Sequence, residues 1–286
     1  MVRASVIKLL KRVGPLRSAA REVRHRLSGR ERALLKRLSL FAPNSSGSPR
    51  QLADLALLDA GRAFPVLEHA LRTAGLPPIP VTKVKDFPRG DDEQRAGEDL
   101  AELFRRHRSD KSTTHDYHLV YGPLLHRLGT VRGLVEIGLG TNNEDVVSNM
   151  TVGGAPGASL RAFRDFLPEA RVRGADIDRR ILFSEDRIDT YFVDQTNLAS
   201  FAELSAACEG GVDLLIDDGL HSPAANVTVL EFGLSRVRAG GWIVVEDIAA
   251  AALPHWQVVG TAFRDVLRCE LIEAREGYLF AAMRIG

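Results

Sequence analysis

Two apolar runs in this 286-residue chain each end in a pair of acidic residues. The first pair is Asp217-Asp218, with His221 three positions further on, and the second pair is Glu246-Asp247. The carboxyl ends of parallel strands share one edge of an open sheet, so we expect these side chains to converge. Clustered carboxylates raise one another's pKa, and a bound divalent cation removes that penalty. All-oxygen ligation favours Mg²⁺ or another hard ion over zinc.

His221 gives this acidic edge a proton acceptor. An imidazole three residues after Asp218 is close enough to take a proton from a hydroxyl held on the cation. The alternative is structural: Asp217 or Asp218 caps the next helix, which Ser222-Pro223 would begin, and His221 packs in the core. Paired acids at two strand ends favour the chemical interpretation.

A second motif, Glu136-Ile-Gly138-Leu-Gly140, closes an earlier apolar run. Glycines at a strand end let the backbone approach a bound nucleotide-like ligand. The dinucleotide-binding pattern requires a third glycine where Asn143 stands, which disfavours a nicotinamide cofactor. A tight turn without a ligand is the alternative interpretation.

Polar side chains also follow the next two apolar runs. Asp176 is the candidate for both ribose hydroxyls of a nucleoside, whereas Asp178 suits a helix N-cap. Asp194 and Gln195 have the groups to read an adenine, with a turn-forming Asp194 as the alternative. The segment 141–156 is long enough to be a functional loop, and we expect it to be a lid over the site.

Short apolar runs alternate with helical patterns from Gly133 onward. This alternation predicts parallel strands joined by right-handed crossovers, in a sheet covered on both faces. The last two runs are separated by only three residues, 275–277, so we expect an antiparallel hairpin. An α/β, Rossmann-like parallel sheet that ends in such a hairpin is typical of the class I methyltransferase fold. The predicted strands are 133–140, 172–177, 190–193, 212–216, 242–246, 270–274 and 278–285, and the predicted helices here are 117–128, 157–167, 198–208, 222–237 and 261–267.

The first 108 residues are predicted to be mostly helical. Helical spacing of apolar residues covers 49–75, as one or two helices, and 93–108. The Pro- and Lys-rich stretch 77–92 has the composition of a linker. We therefore divide the chain into a basic arm with a helical region, residues 1–108, and a methyltransferase domain, residues 109–286. The apolar stripes of the helical region predict a homodimer.

The net charge of +1 conceals a basic arm. Residues 1–37 carry twelve Lys and Arg against two Glu, so the remainder of the chain is acidic. We expect the arm to pack on an acidic face of its own protein, with docking on an anionic membrane or glycolipid as the alternative. An organelle transit peptide has a similar composition. The break at Gly14-Pro15 argues against a long DNA-binding helix, so no nucleic acid partner is expected.

Composition restricts the protein class further. Apolar residues make up 45% and charged residues 26% of the chain, which excludes collagen-like and wholly disordered proteins. No apolar stretch approaches the ~18 residues that span a bilayer, and no secretory signal is evident. Cys208 and Cys269 cannot by themselves form a disulfide framework or a zinc site. We expect a reducing, cytoplasmic location, with peripheral membrane contact only through the arm.

Residues 109–248 resemble the S-adenosylmethionine-dependent methyltransferases. Within these they resemble the metal-dependent sugar O-methyltransferases of macrolide antibiotic biosynthesis, the mycinamicin type. The order of the motifs carries the resemblance, and residues 1–108 and the Asn-rich segment 141–156 depart from the family pattern. The matching segments are Asp110-Lys111, 115–121, 136–140, 157–161, 174–177, Asp194-Gln195, 217–221 and 238–247.

The resemblance implies an O-methyltransferase in which Asp218, Glu246 and Asp247 bind Mg²⁺ and His221 is the general base. The catalytic residues would be His221 and Asp218. The acceptor would be a hydroxyl of a sugar or glycosylated natural product, either a small molecule or a glycan. The alternatives are a catechol-like acceptor, a hydroxylase-like enzyme and a non-catalytic member of the fold. An iron oxygenase needs two His ligands, and only His221 is expected at the edge. The residues implied to bind S-adenosylmethionine are Glu136, Gly138, Gly140, Asp176, Asp194, Gln195 and Asp217.

Overall fold

The structure of the chain, a computed structural model, describes residues 29–150 and 153–286. The chain divides between Ala70 and Leu71 into two compact units. Residues 1–28, which form most of the basic arm, lie outside the described residues, so the interpretations of the arm stay predictions. The domain boundary at residue 108 also stays a prediction, and residues 71–108 group with the sheet.

The described part of the first unit is helical, as the apolar spacing predicts. Helix α1 covers 29–37, and α2, Pro49–Thr73, is a single helix that continues through Pro65. Large apolar side chains of α2 such as Leu57 and Val66 are exposed. The homodimer that these side chains suggest stays a prediction.

The second unit contains one mixed sheet flanked by helices. Within the described residues its strands are β1 (Val81–Lys83), β2 (Gly133–Ile137), β3 (Arg171–Asp176), β4 (Ser184–Glu185), β5 (Ile188–Phe192), β6 (Val212–Asp217), β7 (Val237–Ile248), β8 (Leu267–Glu273) and β9 (Tyr278–Arg284). The helices are α3 (Asp91–His107), α4 (His118–Leu128), α5 (Ala158–Phe166), α6 (Ala202–Ala207), α7 (Pro223–Arg236) and α8 (Leu253–Ala262). The strand order is β1-β8-β9-β7-β6-β2-β3-β5-β4.

The central strands pair as the alternation of apolar runs and helices predicts. Strands β2, β3, β5, β6 and β7 are parallel, and β9 lies antiparallel between β7 and β8. The tight turn between β8 and β9 is closed by Ala274 N, which donates to the Gly277 carbonyl at 3.1 Å. Every residue of β2 and β6 is buried, as in a sheet covered on both faces. The predicted α/β sheet with its antiparallel hairpin is confirmed.

Two predicted elements are wrong. The proline-rich stretch 77–92 is not a free linker, because its residues Val81–Lys83 form β1 and pair in parallel with β8. Proline breaks helices and is tolerated at sheet edges, so a proline-rich stretch is compatible with a short edge strand as well as with a linker. The last helix is Leu253–Ala262, begun by a proline in its first turn, and not 261–267, where the chain turns into β8.

Two further expectations concern membranes and cysteines. Within the described residues, no helix combines the length and the apolar character needed to cross a membrane. Cys208 and Cys269 are buried free thiols, and burial raises the pKa of each. A thiol in that state is a poor nucleophile and metal ligand.

Helices α3 and α4 cross at a pair of glycines. A Cβ on Gly122 of α4 would lie 2.3 Å from the backbone nitrogen of Gly97 on α3. The close contact is with backbone, which cannot rotate away as a side chain can. The crossing fixes the first turns of α4, where Tyr121 is fully buried. Those turns approach the acidic edge of the sheet.

We expect Gly122→Ala to lower the free energy of unfolding by about 1–3 kcal/mol, because the added methyl forces the two helices apart. Urea unfolding followed by circular dichroism measures this loss. Gly61→Ala is the matched control in α2, since a Cβ there would meet nothing within 4 Å. That change should be neutral or stabilise by up to about 1 kcal/mol. Equal stability of Gly122→Ala and the unaltered chain would contradict the close crossing.

Candidate active site

A cavity of about 870 Å³ opens at the carboxyl ends of the central strands. Its wall combines the turn after β2, the ends of β3 and β5, and the acidic ends of β6 and β7. Its volume lies in the range of small-molecule sites, ~300–1,000 Å³. The sequence-predicted residues that the structure brings to this wall are Gly138, Gly140, Asp176, Asp194, Gln195, Asp218, His221, Glu246 and Asp247.

Three side chains at the ends of β6 and β7 face one another. The Nε2 atom of His221 lies 3.6 Å from Asp247 Oδ2 and 3.9 Å from Asp218 Oδ1. One ligand atom from each residue lies within 4.8 Å of the others. All three side chains are partly exposed to the cavity. This geometry is compact enough for one small cation or one hydroxyl group.

His221 and Asp247 both have left-handed backbone conformations. Their φ angles are +52° and +54°, which is uncommon for residues with a Cβ. Such a conformation costs of order 1–3 kcal/mol and persists only where the surrounding structure enforces it. Both side chains line the cavity, His221 from the loop after β6 and Asp247 from the end of β7. The two residues with strained backbone are therefore also two of the three residues that could hold a cation or a hydroxyl group.

Lys111, which matches the family pattern but is not among the predicted site residues, lies at the centre of the acidic group. It comes from a short 3-10 turn, Asp110–Ser112, and only 3% of its side chain is exposed. Its Nζ atom lies 2.6 Å from Asp218 Oδ2, 2.6 Å from Glu246 Oε2 and 3.2 Å from Glu136 Oε1. Burial opposes the charge, but the three carboxylates outweigh it and raise the pKa of Lys111 well above its usual value. The buried ammonium is thus held in its charged form.

Glu246 is turned away from His221 and toward the protein interior. Its Oε2 atom accepts from Lys111, and its Oε1 atom accepts from the Tyr121 hydroxyl. Burial and the charge of Asp218 raise the pKa of Glu246, and the Lys111 ammonium acts in the opposite direction. Both oxygens are already engaged, so the role of Glu246 as a metal ligand stays a prediction.

Asp247 is held by two aromatic side chains from the start of α4 and the loop before it. The Tyr117 hydroxyl donates to Asp247 Oδ1, and His115 Nδ1 lies 3.7 Å from the same oxygen. The rings of His115 and Tyr117 are stacked, with centroids 4.9 Å apart. The expectation that only His221 stands at this edge is therefore wrong, because His115 also lines the cavity.

The donor set suits a hard divalent cation. Asp218 and Asp247 present carboxylate oxygens, which are the ligands that a hard divalent cation prefers. The three-residue group excludes His115, so it is not the two-His, one-carboxylate site of an iron oxygenase.

The turn after β2 brings backbone close to the acidic edge. Gly138 has a φ of +98°, and a Cβ there would lie 2.0 Å from the Asp218 carbonyl oxygen. Asp218 N also donates to the Ile137 carbonyl at 2.8 Å. Only glycine fits position 138. The backbone of the glycine turn is therefore in direct contact with the backbone of the acidic edge.

Asp176 supports that glycine turn. Its Oδ2 atom accepts from Leu139 N and its Oδ1 atom from Asp178 N, both at 2.8 Å. Burial is the main cause that raises the pKa of Asp176. An ionised carboxylate has about four acceptor positions, so each oxygen retains capacity for a ligand hydroxyl. Asp178 caps the following 3-10 turn through Arg180 N, which agrees with the N-cap interpretation.

Glu136 and Asp217 are fully buried and do not line the cavity. Glu136 Oε2 accepts from the Ser159 hydroxyl, while Asp217 accepts from the amides of Gln195 and Asn226. Burial raises the pKa of Asp217 to about 6. The direct contacts with the cofactor that were expected of these two carboxylates stay predictions, because neither residue lines the cavity. They support the wall from behind.

Asp194 and Gln195 line the cavity but are engaged in local hydrogen bonds. Asp194 Oδ1 accepts from the backbone and hydroxyl of Thr196, which is the turn role considered as an alternative. Gln195 Nε2 donates to Asp217, and its Oε1 accepts from Leu220 N at 2.7 Å. The amide thus joins the loop after β5 to the end of β6. Adenine contacts by this pair stay a prediction.

The described part of the loop 141–156 forms one side of the cavity. Arg180 makes a bidentate contact with Asp145, at 2.9 and 3.2 Å, and its Nε atom donates to Asp178 at 2.7 Å. On the opposite side, Ser148 Oγ donates to the Gly219 carbonyl at 2.9 Å. The loop therefore spans from the end of β3 to the end of β6. Its function as a lid stays a prediction.

The fold of the chain has counterparts among solved structures. The chain has the class I S-adenosylmethionine-dependent methyltransferase fold, since two structures of MycE methyltransferase from the mycinamycin biosynthetic pathway match it with TM-scores of 0.51 and 0.52 at 22% identity. The first is a complex with Mg and S-adenosylhomocysteine (SAH), and the match covers 69% of this chain and 56% of MycE. The second is a complex with Mg, SAH and mycinamycin VI, and covers 65% of this chain and 54% of MycE. No established family model matches the chain.

Among curated proteins the chain is similar to sugar O-methyltransferases of antibiotic pathways. It is 35% identical over 162 residues to 8-demethyl-8-alpha-L-rhamnosyl tetracenomycin-C 2'-O-methyltransferase of Streptomyces olivaceus, covering 55% of this chain and 40% of that protein. It is 38% identical over 98 residues to mycinamicin VI 2''-O-methyltransferase of Micromonospora griseorubida, covering 34% of this chain and 24% of that protein. The chain therefore spans less than half the length of the curated relatives it matches.

We expect Arg180→Ala to increase amide hydrogen exchange in residues 141–150 by roughly two- to fivefold, as loss of exposed ion pairs implies. Mass spectrometry of exchanged peptides measures the change. Arg179→Ala is the matched control, because the Arg179 guanidinium stacks on the Phe192 ring and not on the loop. Unchanged exchange in Arg180→Ala would show that the Asp145 contact does not hold the loop.

Proposed function

We propose that the chain is an S-adenosylmethionine-dependent, Mg²⁺-assisted O-methyltransferase that acts on a hydroxyl of a sugar or glycosylated natural product. The observation that carries the proposal is the group Asp218, His221 and Asp247 on the wall of the cavity that the glycine turn also lines. The names of the curated relatives and the Mg and SAH in the MycE structures support the same activity.

The methyl donor would lie on the glycine-turn side of the cavity. When bound, S-adenosylmethionine supplies a methyl group already activated on a sulfonium. Gly138 and Gly140 present backbone without side-chain obstruction, and Asp176 offers acceptor capacity to ribose hydroxyls. The protein's contribution at this side is orientation of the donor relative to the acidic edge.

The cation would lie at the acidic edge, held by Asp218 and Asp247, with Glu246 as the predicted third ligand. When bound, Mg²⁺ supplies a positive charge that lowers the pKa of an acceptor hydroxyl and fixes its position. Tyr117 holds Asp247, and Lys111 holds Asp218, so both carboxylates are oriented by the protein. Burial and nearby carboxylates raise the pKa of Tyr117, so its hydroxyl remains a donor.

His221 would act as the general base. Its Nε2 atom is the ring nitrogen nearest the two carboxylates, so a hydroxyl bound between them could give its proton there. Asp247 at 3.6 Å would stabilise the imidazolium that results. The acceptor oxygen could then take the methyl group that S-adenosylmethionine would supply, with cleavage of its carbon–sulfur bond, and the products would be SAH, the methyl ether and a proton held on His221.

The sugar acceptor is inferred from chemistry and from relatives. Vicinal hydroxyls chelate a hard cation well, and two relatives act, by name, on the 2' and 3' positions of a rhamnosyl group. A catechol-like acceptor has the same chelating geometry and remains the alternative. Contact of residues 1–37 with an anionic membrane, the cytoplasmic location and the homodimer also stay predictions.

We expect the two halves of the site to fail separately. Asp176→Ala should weaken SAH binding at least tenfold and leave Mn²⁺ binding unchanged, because it removes both an acceptor for the donor and a support of the glycine turn, whereas Asp218 and Asp247 are retained. Asp247→Asn should weaken Mn²⁺ binding at least tenfold and leave SAH binding unchanged. Calorimetry with SAH and electron paramagnetic resonance with Mn²⁺ measure these affinities.

The unaltered chain provides the reference for both variants. It should bind one equivalent of SAH, and transfer of labelled methyl to a panel of rhamnosides and other glycosides should stop with EDTA and return with Mg²⁺. Absence of SAH binding would refute the methyltransferase proposal. Turnover that EDTA does not reduce would refute the role of the cation.

We expect His221→Ala to reduce kcat by about 10²–10⁴-fold, the usual contribution of a general base. Mn²⁺ affinity should stay within threefold of the unaltered chain, because the proposal assigns His221 to the proton and not to the metal. Asp247→Asn, which should lose Mn²⁺, is the positive control for that measurement. A large loss of Mn²⁺ affinity in His221→Ala would instead make His221 a ligand.

A further inference from the structure

Lys111 connects the two halves of the cavity. Its ammonium group contacts Glu136, which lies at the end of β2 behind the glycine turn, and also Asp218 and Glu246 at the acidic edge. The three carboxylates come from three adjacent strand ends, β2, β6 and β7. A single buried cation therefore holds together carboxylates that would otherwise repel one another.

We infer that Lys111 is a positioning residue that keeps the donor pocket assembled when no divalent cation is bound, so that S-adenosylmethionine and the cation bind in either order. The inference rests on the proposed function. It goes beyond the proposed function because it gives Lys111 an effect on donor binding through its contacts with Glu136, Asp218 and Glu246.

The backbone explains how a change at the acids would reach the donor. The Asp218 carbonyl lies against Gly138, and Asp218 N donates to the Ile137 carbonyl at 2.8 Å. If Asp218 and Glu246 move apart, the glycine turn moves with Asp218. The turn is the surface that the donor would approach. Without the ammonium, repulsion between these acids would therefore distort the donor pocket.

A divalent cation can replace the ammonium in this respect. A cation at the acidic edge attracts Asp218 and its neighbouring acids just as the ammonium does. In the unaltered chain, Lys111 already supplies that attraction, so the donor pocket needs no metal. In a chain without the ammonium, donor binding should become dependent on the metal.

The test is calorimetric titration of SAH into the full chain, with EDTA and with excess MgCl₂. For the unaltered chain we expect dissociation constants that agree within threefold under the two conditions. For Lys111→Met, which keeps the length and loses the charge, we expect SAH binding at least tenfold weaker in EDTA. Excess MgCl₂ should restore it to within threefold of the unaltered chain.

Lys85→Met is the matched control. It also removes one ammonium from a 3-10 turn, Val84–Asp86, but Lys85 is exposed and is not part of the cavity wall. SAH binding by this variant should match the unaltered chain in both buffers. The thermal unfolding temperature of each variant, with and without MgCl₂, reports whether it is folded.

Three results would overturn the inference and leave the proposed function standing. SAH binding by Lys111→Met in EDTA that equals the unaltered chain would show that the ammonium is not needed. Weak binding that MgCl₂ does not restore would show that Lys111 only maintains the fold. Tightening of SAH by MgCl₂ of tenfold or more in the unaltered chain would show that the pocket is not assembled without metal, and this measurement decides even if Lys111→Met does not fold. No SAH binding by the unaltered chain in either buffer would refute the proposed function itself, and the inference falls with it.

Discussion

Repulsion among buried carboxylates is the constraint that shapes this site. Glu136, Asp218, Glu246 and Asp247 lie at three adjacent strand ends, and two of them are almost completely buried. The protein offsets the repulsion with one ammonium group, that of Lys111. The carboxylates at these strand ends outnumber that ammonium. A divalent cation and a sulfonium donor would each bring positive charge to the place where negative charge is in excess.

The helices before the sheet are part of this arrangement. Lys111, Tyr117 and Tyr121 come from the turn between α3 and α4 and from the start of α4, and each contacts an acid from the sheet. Their positions depend on the glycine crossing of α3 and α4, because a wider crossing would withdraw α4 from the strand ends. The acids of this edge therefore come from the sheet, whereas the side chains that hold them come from α4 and the turn before it. That division explains why the sheet motifs alone suggest a more open, all-oxygen cation site than the structure contains.

The sequence could predict whatever depends on local pattern. Alternating apolar runs and helices predicted the parallel order, a three-residue gap predicted the hairpin, and strand ends predicted that Asp218 and Asp247 would meet His221. It could not predict contacts between distant segments. Lys111 reaches Asp218 and Glu246 across 107 and 135 residues of sequence, and no local signal marks it as buried. The same limit hides the orientation of Glu246, which is set by Lys111 and Tyr121, and the pairing of β1 with β8. The pair Asp110-Lys111 in the family resemblance was the one available signal.

The left-handed conformations of His221 and Asp247 follow from the same geometry. A side chain at the end of a strand continues to alternate across the sheet, and so points toward a helix layer instead of the cavity. A residue with a positive φ departs from this alternation at a cost of order 1–3 kcal/mol, and both of these side chains line the cavity. Glycine would remove that cost, but it would also remove the imidazole or the carboxylate. Elsewhere at the same edge, where only backbone is needed, the chain does use glycine, as at Gly138 and Gly140. Strain is therefore accepted where a functional side chain must be presented, and avoided where close approach of backbone is sufficient.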